Sequence, residues 1–254
     1  MPFFSIILPT YNCNATILAC LKSVANQTFT DFELLIIDGS STDQTIFYIE
    51  TYLTTSSLNY VLISEKDAGI YDAMNKGAGL AKGRWLYFLG GDDELIDNTV
   101  LMQVYQHLSE KTKIDFCYGN VLLKSNGKLY DGRFNVHRLM TVNICHQAIF
   151  VTRDTFLELG SFDIRYSLWA DWDFNLKVFR AGKRISYMKL TIGHYNNTGE
   201  SSKTRDYIFL KRLEEIKQKY YGNPLNKFKS RIRYLTKRLK TLTRNPTNTP
   251  AFNK

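Results

Sequence analysis

Two adjacent carboxylates follow a bulky apolar segment of the chain. Residues 85–89 read Trp-Leu-Tyr-Phe-Leu, and Gly90 and Gly91 separate this run from Asp92 and Asp93. The apolar run predicts a buried strand, and paired glycines let the backbone turn sharply at its end. Open α/β sheets bind their ligands at the carboxyl ends of strands, and carboxylate oxygens suit Mg²⁺ or Mn²⁺ that bridges to a phosphate. The pair therefore predicts a metal–phosphate site, with a plain acidic turn as the alternative.

The elements around this pair alternate between strands and helices. Strands are predicted over 4–10, 33–37, 60–64 and 85–89, and helices over 15–25, 43–53 and 70–81. This rhythm predicts parallel strands joined by right-handed crossovers. Beyond Asp93 the alternation loosens into shorter elements, ending with a helix near 172–181 and a strand near 185–190. We therefore predict an α/β fold with one Rossmann-like, mostly parallel sheet and helices on both faces.

Polar residues follow three of these strands. Pro9-Thr10-Tyr11 comes after the first, Asp38 after the second, and Asp92-Asp93 after the fourth. The carboxyl ends of parallel strands meet at one edge of a sheet, so we expect these groups to lie close together.

Four blocks of sequence carry a family resemblance. They are SIILPTYN, QTFTDFELLIIDGSSTD, EKDAGIYDAMNKG and GRWLYFLGGDDEL, in that order over residues 5–95. The order resembles family 2 glycosyltransferases of the GT-A fold, especially those that build bacterial capsule, O-antigen and exopolysaccharide. Weaker resemblance continues to about residue 200. The resemblance implies a nucleotide-sugar-binding half at 1–95, an acceptor-binding half at 96–204 and a tail at 205–254.

The same resemblance implies roles for the donor side. Thr10 and Tyr11, with Pro9 beside them, resemble the residues that hold the base and ribose of the nucleotide. Asp38 resembles the carboxylate that accepts from the imide N–H of uracil, and Asp67 lies at a second base or ribose contact. Lys76 could reach a phosphate or sugar, although a solvated lysine is the alternative.

The acidic pair also gains roles from the resemblance. Asp92 resembles the ribose-side or sugar-side carboxylate, and Asp93 the ligand of the metal on the diphosphate. Many relatives have a further acidic residue two places before that ligand, where this chain has Gly91. Metal binding would then depend on one carboxylate, the diphosphate and waters, as is usual for Mg²⁺ or Mn²⁺.

In the second half, Trp169-Ala170-Asp171-Trp172-Asp173 is the most informative segment. Rings beside carboxylates suit a sugar site, so Trp169 and Trp172 are predicted to bind the acceptor. By resemblance Asp171 aligns with the general base, which takes the acceptor hydroxyl proton in an inverting transfer. Asp173 is the alternative base, although it could cap the helix. His146 could contact the acceptor or the diphosphate, or it could be a satisfied core residue.

The charge is unevenly distributed. The formal net charge is +9, but residues 203–254 carry 15 Lys/Arg and three Asp/Glu. An apolar stripe at helical spacing accompanies these cations: Leu225, Phe228, Ile232, Leu235, Leu239 and Leu242. Such a helix can lie on an anionic membrane surface, or it can dock on its own domain or form a homodimer. Nucleic acid is not predicted as a partner, because no aromatic platform or reading motif accompanies the charge.

These observations predict an inverting, metal-dependent glycosyltransferase. It would move a hexose or N-acetylhexosamine from a nucleotide sugar, with UDP favoured by Asp38, to a hydroxyl of an oligosaccharide or polyprenyl-diphosphate-linked acceptor. The chain shows no leader sequence, so the predicted location is the cytoplasm, peripheral on the inner face of the membrane. The alternatives are a nucleotidyltransferase and a non-enzymatic adaptor that binds membrane or nucleic acid. A nucleotidyltransferase would need a glycine-rich, basic phosphate loop after the first strand, and Pro9-Thr10-Tyr11-Asn12 is not one. The adaptor leaves the carboxylates at 92–93 and 171–173 unexplained.

Overall fold

The computed structural model describes residues 1–111, 113–196, 204–222, 228–229 and 232. The chain divides into two compact units, Met1–Phe209 and Leu210–Lys254. Residues that carry the predicted site chemistry all belong to the first unit.

The first unit alternates strands and helices along its amino-terminal half. The elements of this half are β1 (Phe4–Thr10), α1 (Ile17–Ala25), β2 (Phe32–Asp38), α2 (Thr45–Leu53), β3 (Tyr60–Ser64), α3 (Ile70–Leu80), β4 (Trp85–Phe88), β5 (Glu94–Leu95) and α4 (Val100–Glu110). The next elements are β6 (Phe116–Leu123), β7 (Leu129–Tyr130), α5 (Val136–Leu139), a 3-10 turn (His146–Ala148), β8 (Ile149–Thr152), α6 (Arg153–Glu158), α7 (Ala170–Arg180) and β9 (Ile185–Tyr195). Helix α8 spans Tyr207–Gly222.

The strands form one sheet in the order β3-β2-β1-β4-β8-β6-β9-β5, with β7 paired to β6. Strands β1 to β4 are mutually parallel, as predicted. Strand β8 enters antiparallel between β4 and β6, and β5 pairs antiparallel with β9. The sheet is therefore parallel across β1 to β4 and mixed beyond them, so the carboxyl ends of β1, β2 and β4 still meet at one edge.

The central strands are covered on both faces. Every residue of β1 and β2 is buried, which explains why both read as continuous apolar runs instead of alternating ones. Across the centre of the sheet, the rings of Tyr87 on β4 and Phe150 on β8 stack with centroids 4.5 Å apart. Because the central strands are buried on both faces, their register is fixed. The positions of the residues at their ends are therefore fixed as well.

The sequence predicted the main elements of the donor half within about three residues, but it missed several shorter ones. Strand β5, helices α5 and α6 and the 3-10 turn have no strong periodic signal, since each is six residues or shorter. Strand β9 runs five residues beyond the predicted end at 190, which brings Tyr195 and Asn196 to the site.

The basic tail lies mostly outside the described residues. Phe228 and Ile232 of the predicted apolar stripe are described and are exposed, and the stripe's four leucines are not among the described residues. Within the described part of the chain, no helix is both long enough and apolar enough to cross a bilayer. The membrane, self-docking and dimer interpretations of the tail stay predictions.

Helix α3 packs tightly on the sheet through a glycine, which yields a stability prediction. A Cβ added to Gly77 would lie 2.5 Å from Ile7 Cγ2 and 3.2 Å from Ile37 Cγ1, both in the core. We expect Gly77→Ala to lower the free energy of unfolding by about 1–3 kcal/mol through overpacking. Gly79→Ala, in the same helix with open space around it, should raise it by about 0.5–1 kcal/mol. Urea unfolding of both variants measures the difference, and equal stabilities would contradict this close contact.

Candidate active site

The site begins where β1 and β2 end side by side. Thr10 and Asp38 are register partners, and the Thr10 hydroxyl donates to Asp38 Oδ1 at 3.2 Å. Asp38 is fully buried and accepts three more hydrogen bonds, from Ser41 Oγ (2.5 Å), Ser41 N (2.9 Å) and Ser64 Oγ (2.7 Å). Its carboxylate therefore holds the ends of β1, β2 and β3 together, as a buried charge requires.

The carboxylate that faces open space here belongs to Asp67. Its Oδ1 accepts from Gly69 N at 2.9 Å, which shapes the loop before α3. A Cβ added to Gly39 would lie 2.7 Å from Asp67 Oδ2, so only glycine leaves room for this side chain over the end of β2. Lys76 closes the same loop by pairing with Glu65 at 2.9 Å.

These residues border a first cavity of about 750 Å³. Its wall includes Pro9, Thr10, Tyr11, Gly39, Lys66, Asp67, Gly91 and Asp92. The ring of Tyr11 is 63% exposed at this wall, so it can pack against a planar ligand. The volume lies within the range of small-molecule and cofactor sites.

The floor of the site is the turn that joins β4 to β5. Asp93 N donates to Gly90 O at 3.0 Å, so the chain folds back directly after the strand. A Cβ at Gly90 would lie 2.8 Å from Asp93 Oδ2 and 3.0 Å from Asp92 Oδ1. A Cβ at Gly91 would meet Cys13 Sγ at 2.8 Å. A side chain at position 91 would therefore have to displace the Cys13 sulfur.

Two residues hold the acidic pair in place. Asn196 donates its backbone N–H to Asp93 Oδ1 at 2.9 Å and its side-chain amide to Asp92 Oδ2 at 2.8 Å. Gln147 donates to Asp93 Oδ2 at 2.7 Å. Asp93 is only 2% exposed, and its burial, together with the charge of Asp92, raises its pKa from 3.8 to about 6. The pair is therefore ready to accept a cation that would restore full ionisation.

Asp171 opens helix α7 and is held by a network of amides and a phenol. The Tyr71 hydroxyl lies 2.8 Å from both Asp171 Oδ1 and the Leu168 carbonyl oxygen. Asn143 donates its side-chain amide to Asp171 Oδ2 at 2.9 Å, and Asn175 donates to the Asn143 side-chain oxygen at 2.8 Å. The second bond fixes which end of Asn143 faces the carboxylate.

The neighbouring Asp173 has a different environment. It is 4% exposed and pairs with Lys177 one turn later, at 2.9 Å. Asp171 borders a second cavity, and Asp173 borders neither of the two cavities described here. The two residues lie on different faces of the helix. The Asp171 carboxylate therefore borders the cavity, and the Asp173 carboxylate joins an ion pair within the helix.

The 3-10 turn bridges the two acidic centres. Gln147 contacts Asp93, and the preceding residue, His146, places its Nδ1 3.7 Å from Asp171 Oδ2. Burial alone would lower the pKa of His146, but its contact with Asp171 and the charges of Asp93 and Asp92 raise it above its ordinary value. A protonated imidazole between carboxylates offsets part of their charge.

The second cavity, of about 770 Å³, adjoins the first. Its wall contains Asp92, Asp93, Asp171 and His146, together with the rings of Tyr130, Trp169, Trp172 and Tyr195. Ile70, Gly90 and Asp92 border both cavities. The two spaces therefore meet at the acidic turn, with Asp171 in the wall of the second cavity only.

Most of the predicted site residues are brought together. Pro9, Thr10, Tyr11, Asp67 and Asp92 line the first cavity, and Asp92, Asp93, His146, Trp169, Asp171 and Trp172 line the second. Asp38, Lys76 and Asp173 border neither, and their predicted ligand contacts stay predictions.

Sequence reasoning passed over the residues that hold the carboxylates in position: Tyr71, Asn143, Gln147, Asn175 and Asn196. Two of them did carry a signal, because Tyr71 lies inside the block EKDAGIYDAMNKG and Gln147 directly follows His146.

Comparison with solved structures defines the fold class. S. aureus TarS 1–349, in a structure described as a complex with UDP-GlcNAc, matches 81% of this chain and 61% of its own, with a TM-score of 0.67 and 22% identity. The mannosyltransferase PcManGT from Pyrobaculum calidifontis, described as a complex with GDP-Man and Mn²⁺, matches 76% of this chain and 56% of its own, with a TM-score of 0.62 and 17% identity. The fold is that of the GT-A glycosyltransferases.

Sequence comparison then assigns the family. The profile of glycosyl transferase family 2 matches residues 5–157, and the chain belongs to that family. A Mycobacterium tuberculosis protein described as a PGL/p-HBAD biosynthesis glycosyltransferase is 42% identical over 215 residues, which is 84% of each chain. The Escherichia coli UDP-Glc:alpha-D-GlcNAc-diphosphoundecaprenol beta-1,3-glucosyltransferase WfgD is 36% identical over 139 residues, 55% of this chain and 53% of its own. The predicted resemblance is confirmed, and the chain is a glycosyltransferase.

The contrast between Asp38 and Asp67 gives a stability prediction. Asp38→Asn turns one acceptor oxygen into a donor that faces other donors, so the free energy of unfolding should fall by about 1–3 kcal/mol. Asp67→Asn can keep its single accepted bond through the amide oxygen, at a half-buried position, and should stay within about 0.5 kcal/mol of the parent protein. Thermal and urea unfolding of both variants provide the measurement. An unchanged Asp38→Asn protein would show that this carboxylate does not hold the strand ends together.

Proposed function

We propose that this protein transfers a hexose or N-acetylhexosamine from a UDP-sugar to an acceptor hydroxyl with inversion at the anomeric carbon. The observation that carries the proposal is the meeting of the two cavities at the acidic turn, with the Asp171 carboxylate on the far wall. A donor in the first cavity would present its anomeric carbon near Asp92. An acceptor in the second cavity would then approach from the side of Asp171.

The first cavity fits the nucleotide end of the donor. The exposed ring of Tyr11 offers a stacking surface for a base, and Asp67 offers an acceptor for a base or ribose N–H or O–H. Asp38 supports this surface from below through Thr10 and Ser41. The TarS structure is a complex with UDP-GlcNAc, and WfgD is named for UDP-Glc, so these similar proteins favour UDP here.

The second cavity fits the acceptor and its proton. In an inverting transfer the acceptor oxygen attacks opposite the leaving group, and a base on that side removes the hydroxyl proton. Asp171 is accessible from this cavity and is oriented by Tyr71 and Asn143, so its geometry suits the base. Asp173 is the weaker candidate, because Lys177 engages its carboxylate. Rings of Trp169 and Trp172 offer apolar surface to the face of a sugar.

The acidic turn suits a metal that arrives with the donor. Among the described residues, no group of three or more His, Cys, Asp or Glu side chains is arranged to hold an ion. Asp93, with Asp92 beside it, supplies a carboxylate whose oxygens accept one hydrogen bond each and keep lone pairs for a cation. Mg²⁺ or Mn²⁺ is commonly held in this way, by one or two carboxylates, the phosphates and waters. When bound, the ion would stabilise charge on the leaving diphosphate.

We propose a membrane-linked context for the acceptor, as the sequence predicted. The name of WfgD specifies a diphosphoundecaprenol acceptor for that protein, and a lipid-linked oligosaccharide would suit a chain whose last fifty residues are strongly basic. The nucleotidyltransferase and adaptor alternatives have less support, because the segment after β1 is not a glycine-rich phosphate loop and the family match is to glycosyltransferases.

Activity on a panel of UDP-sugars tests the proposal. We expect one or a few UDP-hexoses or UDP-N-acetylhexosamines to be consumed when an acceptor extract is added. Asp171→Asn should lower turnover by roughly 10²–10⁴-fold, because the variant cannot accept the proton, while UDP affinity is retained. Asp173→Asn is the matched control in the same helix and should lose much less turnover. A dead Asp173→Asn protein beside an active Asp171→Asn protein would reverse the assignment.

Metal binding gives a second test that does not depend on turnover. Mn²⁺ titrated into the protein, followed calorimetrically, should bind weakly alone and tightly once UDP is present. Because a carboxylate must be deprotonated to bind a metal, and the pKa of Asp93 is raised to about 6, binding should strengthen as the pH rises from about 5 to about 7.

The variant for this test is Asp93→Asn, which should lose the UDP-dependent Mn²⁺ binding. Asp154→Asn is the control, since Asp154 is exposed and borders neither of the two cavities described here. Full transfer activity in EDTA would contradict the metal role.

A further inference from the structure

The wall of the second cavity is rich in negative charge. Among the described residues that line it, three are carboxylates, Asp92, Asp93 and Asp171, and His146 is the one side chain that can carry a positive charge. Asp93 and Asp171 are 2% and 7% exposed, so little water screens them. Charges in such a poorly hydrated wall act strongly on whatever enters the cavity.

Part of the remaining wall is apolar. The indole N–H of Trp172 donates to the Leu139 carbonyl oxygen at 2.7 Å, and the Tyr130 hydroxyl donates to the Asn143 carbonyl oxygen. The polar ends of both rings are therefore engaged by the backbone. Val142 lies at the same wall and is 39% exposed, so it offers an apolar contact surface to the cavity.

We propose that the acceptor group entering this cavity is uncharged: a hydroxyl on a neutral sugar or aromatic ring with an apolar face. This inference rests on the proposed function, because it assigns the second cavity to the acceptor. Any phosphate of the acceptor would then lie outside the cavity.

The bound donor strengthens this selection. Asp92 and Gly90 border both cavities, so the diphosphate of a donor in the first cavity would add its negative charge close to the second. A divalent ion at Asp93 would offset two of the negative charges of the carboxylates and the diphosphate. His146 would then be the positive group beside Asp171 in this wall. A phosphate on the entering sugar would therefore face like charges from the protein and from the donor, which disfavours binding.

A matched pair of acceptor analogues tests the inference. One is an octyl glycoside; the other is the same sugar joined to octanol through a phosphodiester, and each is made for several common hexoses and N-acetylhexosamines. Calorimetry with UDP and Mn²⁺ present measures the affinity of each compound for the full chain. We expect the neutral member of the best-bound pair to bind at least about tenfold more tightly. Equal or tighter binding of the phosphodiester would overturn the inference.

A lysine introduced at the cavity wall tests whether the charge of the wall causes the difference in affinity. Val142→Lys adds a cation to the wall, so it should improve binding of the phosphodiester relative to the neutral glycoside several-fold. Val61→Lys is the matched variant, since Val61 is 42% exposed on β3 and borders neither cavity, and it should alter neither affinity. If both lysine variants change the affinity ratio equally, or neither does, the wall charge does not select the acceptor.

Failure of the proposed function would look different. Binding is measured without turnover, so a protein that prefers the neutral glycoside but transfers from none of the UDP-sugars would retain the acceptor inference and lose the proposed reaction.

Discussion

The site depends on keeping two adjacent carboxylates, Asp92 and Asp93, at the end of a buried strand. Like charges on neighbouring residues repel, and burial of one of them adds a desolvation penalty. The chain offsets this with donors from distant segments: Asn196 at the end of β9 contacts both carboxylates, and Gln147 in the 3-10 turn contacts the buried one. Burial and the charge of Asp92 still raise the pKa of Asp93, so these donors offset the penalty only in part.

This arrangement explains why the second half of the sheet is built as it is. Strand β8 enters antiparallel beside β4 and carries the 3-10 turn at its start, which delivers Gln147 and His146 to the acidic turn. Strand β9 pairs with β5, directly after the acidic pair, and so brings Asn196 to it. The antiparallel strands of the second half thus place hydrogen-bond donors beside the acidic pair, at the edge where the parallel strands end.

The sequence was sufficient for the donor half of the fold and for the identity of the acidic groups. Long apolar runs such as 4–10 and 33–37 are unambiguous as buried strands, and the groups at their ends converge because the strands are parallel. The different surroundings of Asp38 and Asp67, one buried among hydrogen-bond donors and the other at the cavity wall, could not be predicted from the sequence. Both are aspartates in loops after strands, and only the three-dimensional contacts show that Asp38 is engaged by Thr10, Ser41 and Ser64.

The positioning residues were also beyond the sequence, for a physical reason. Tyr71 and Asp171 are a hundred residues apart, and Asn143 reaches Asp171 from a loop with no periodic pattern. Tyr71 and Gln147 lie in or beside recognisable motifs, but no local signal identifies the partner of such a side chain, because the chain supplies that partner elsewhere. The short elements α5 and α6 escaped prediction in the same way, since tertiary packing stabilises them more than propensity does.

The proposed reaction depends on one carboxylate, Asp171, which lines the second cavity and which we propose as the base on the side opposite the leaving diphosphate. The anomeric configuration of the first-formed product tests this arrangement most directly. Proton NMR of the product, recorded at early times with a UDP-sugar of known anomeric configuration, should show the opposite configuration at the new glycosidic bond. Retention of the donor's configuration would require attack from the face of the leaving group and would contradict the assignment of the two cavities.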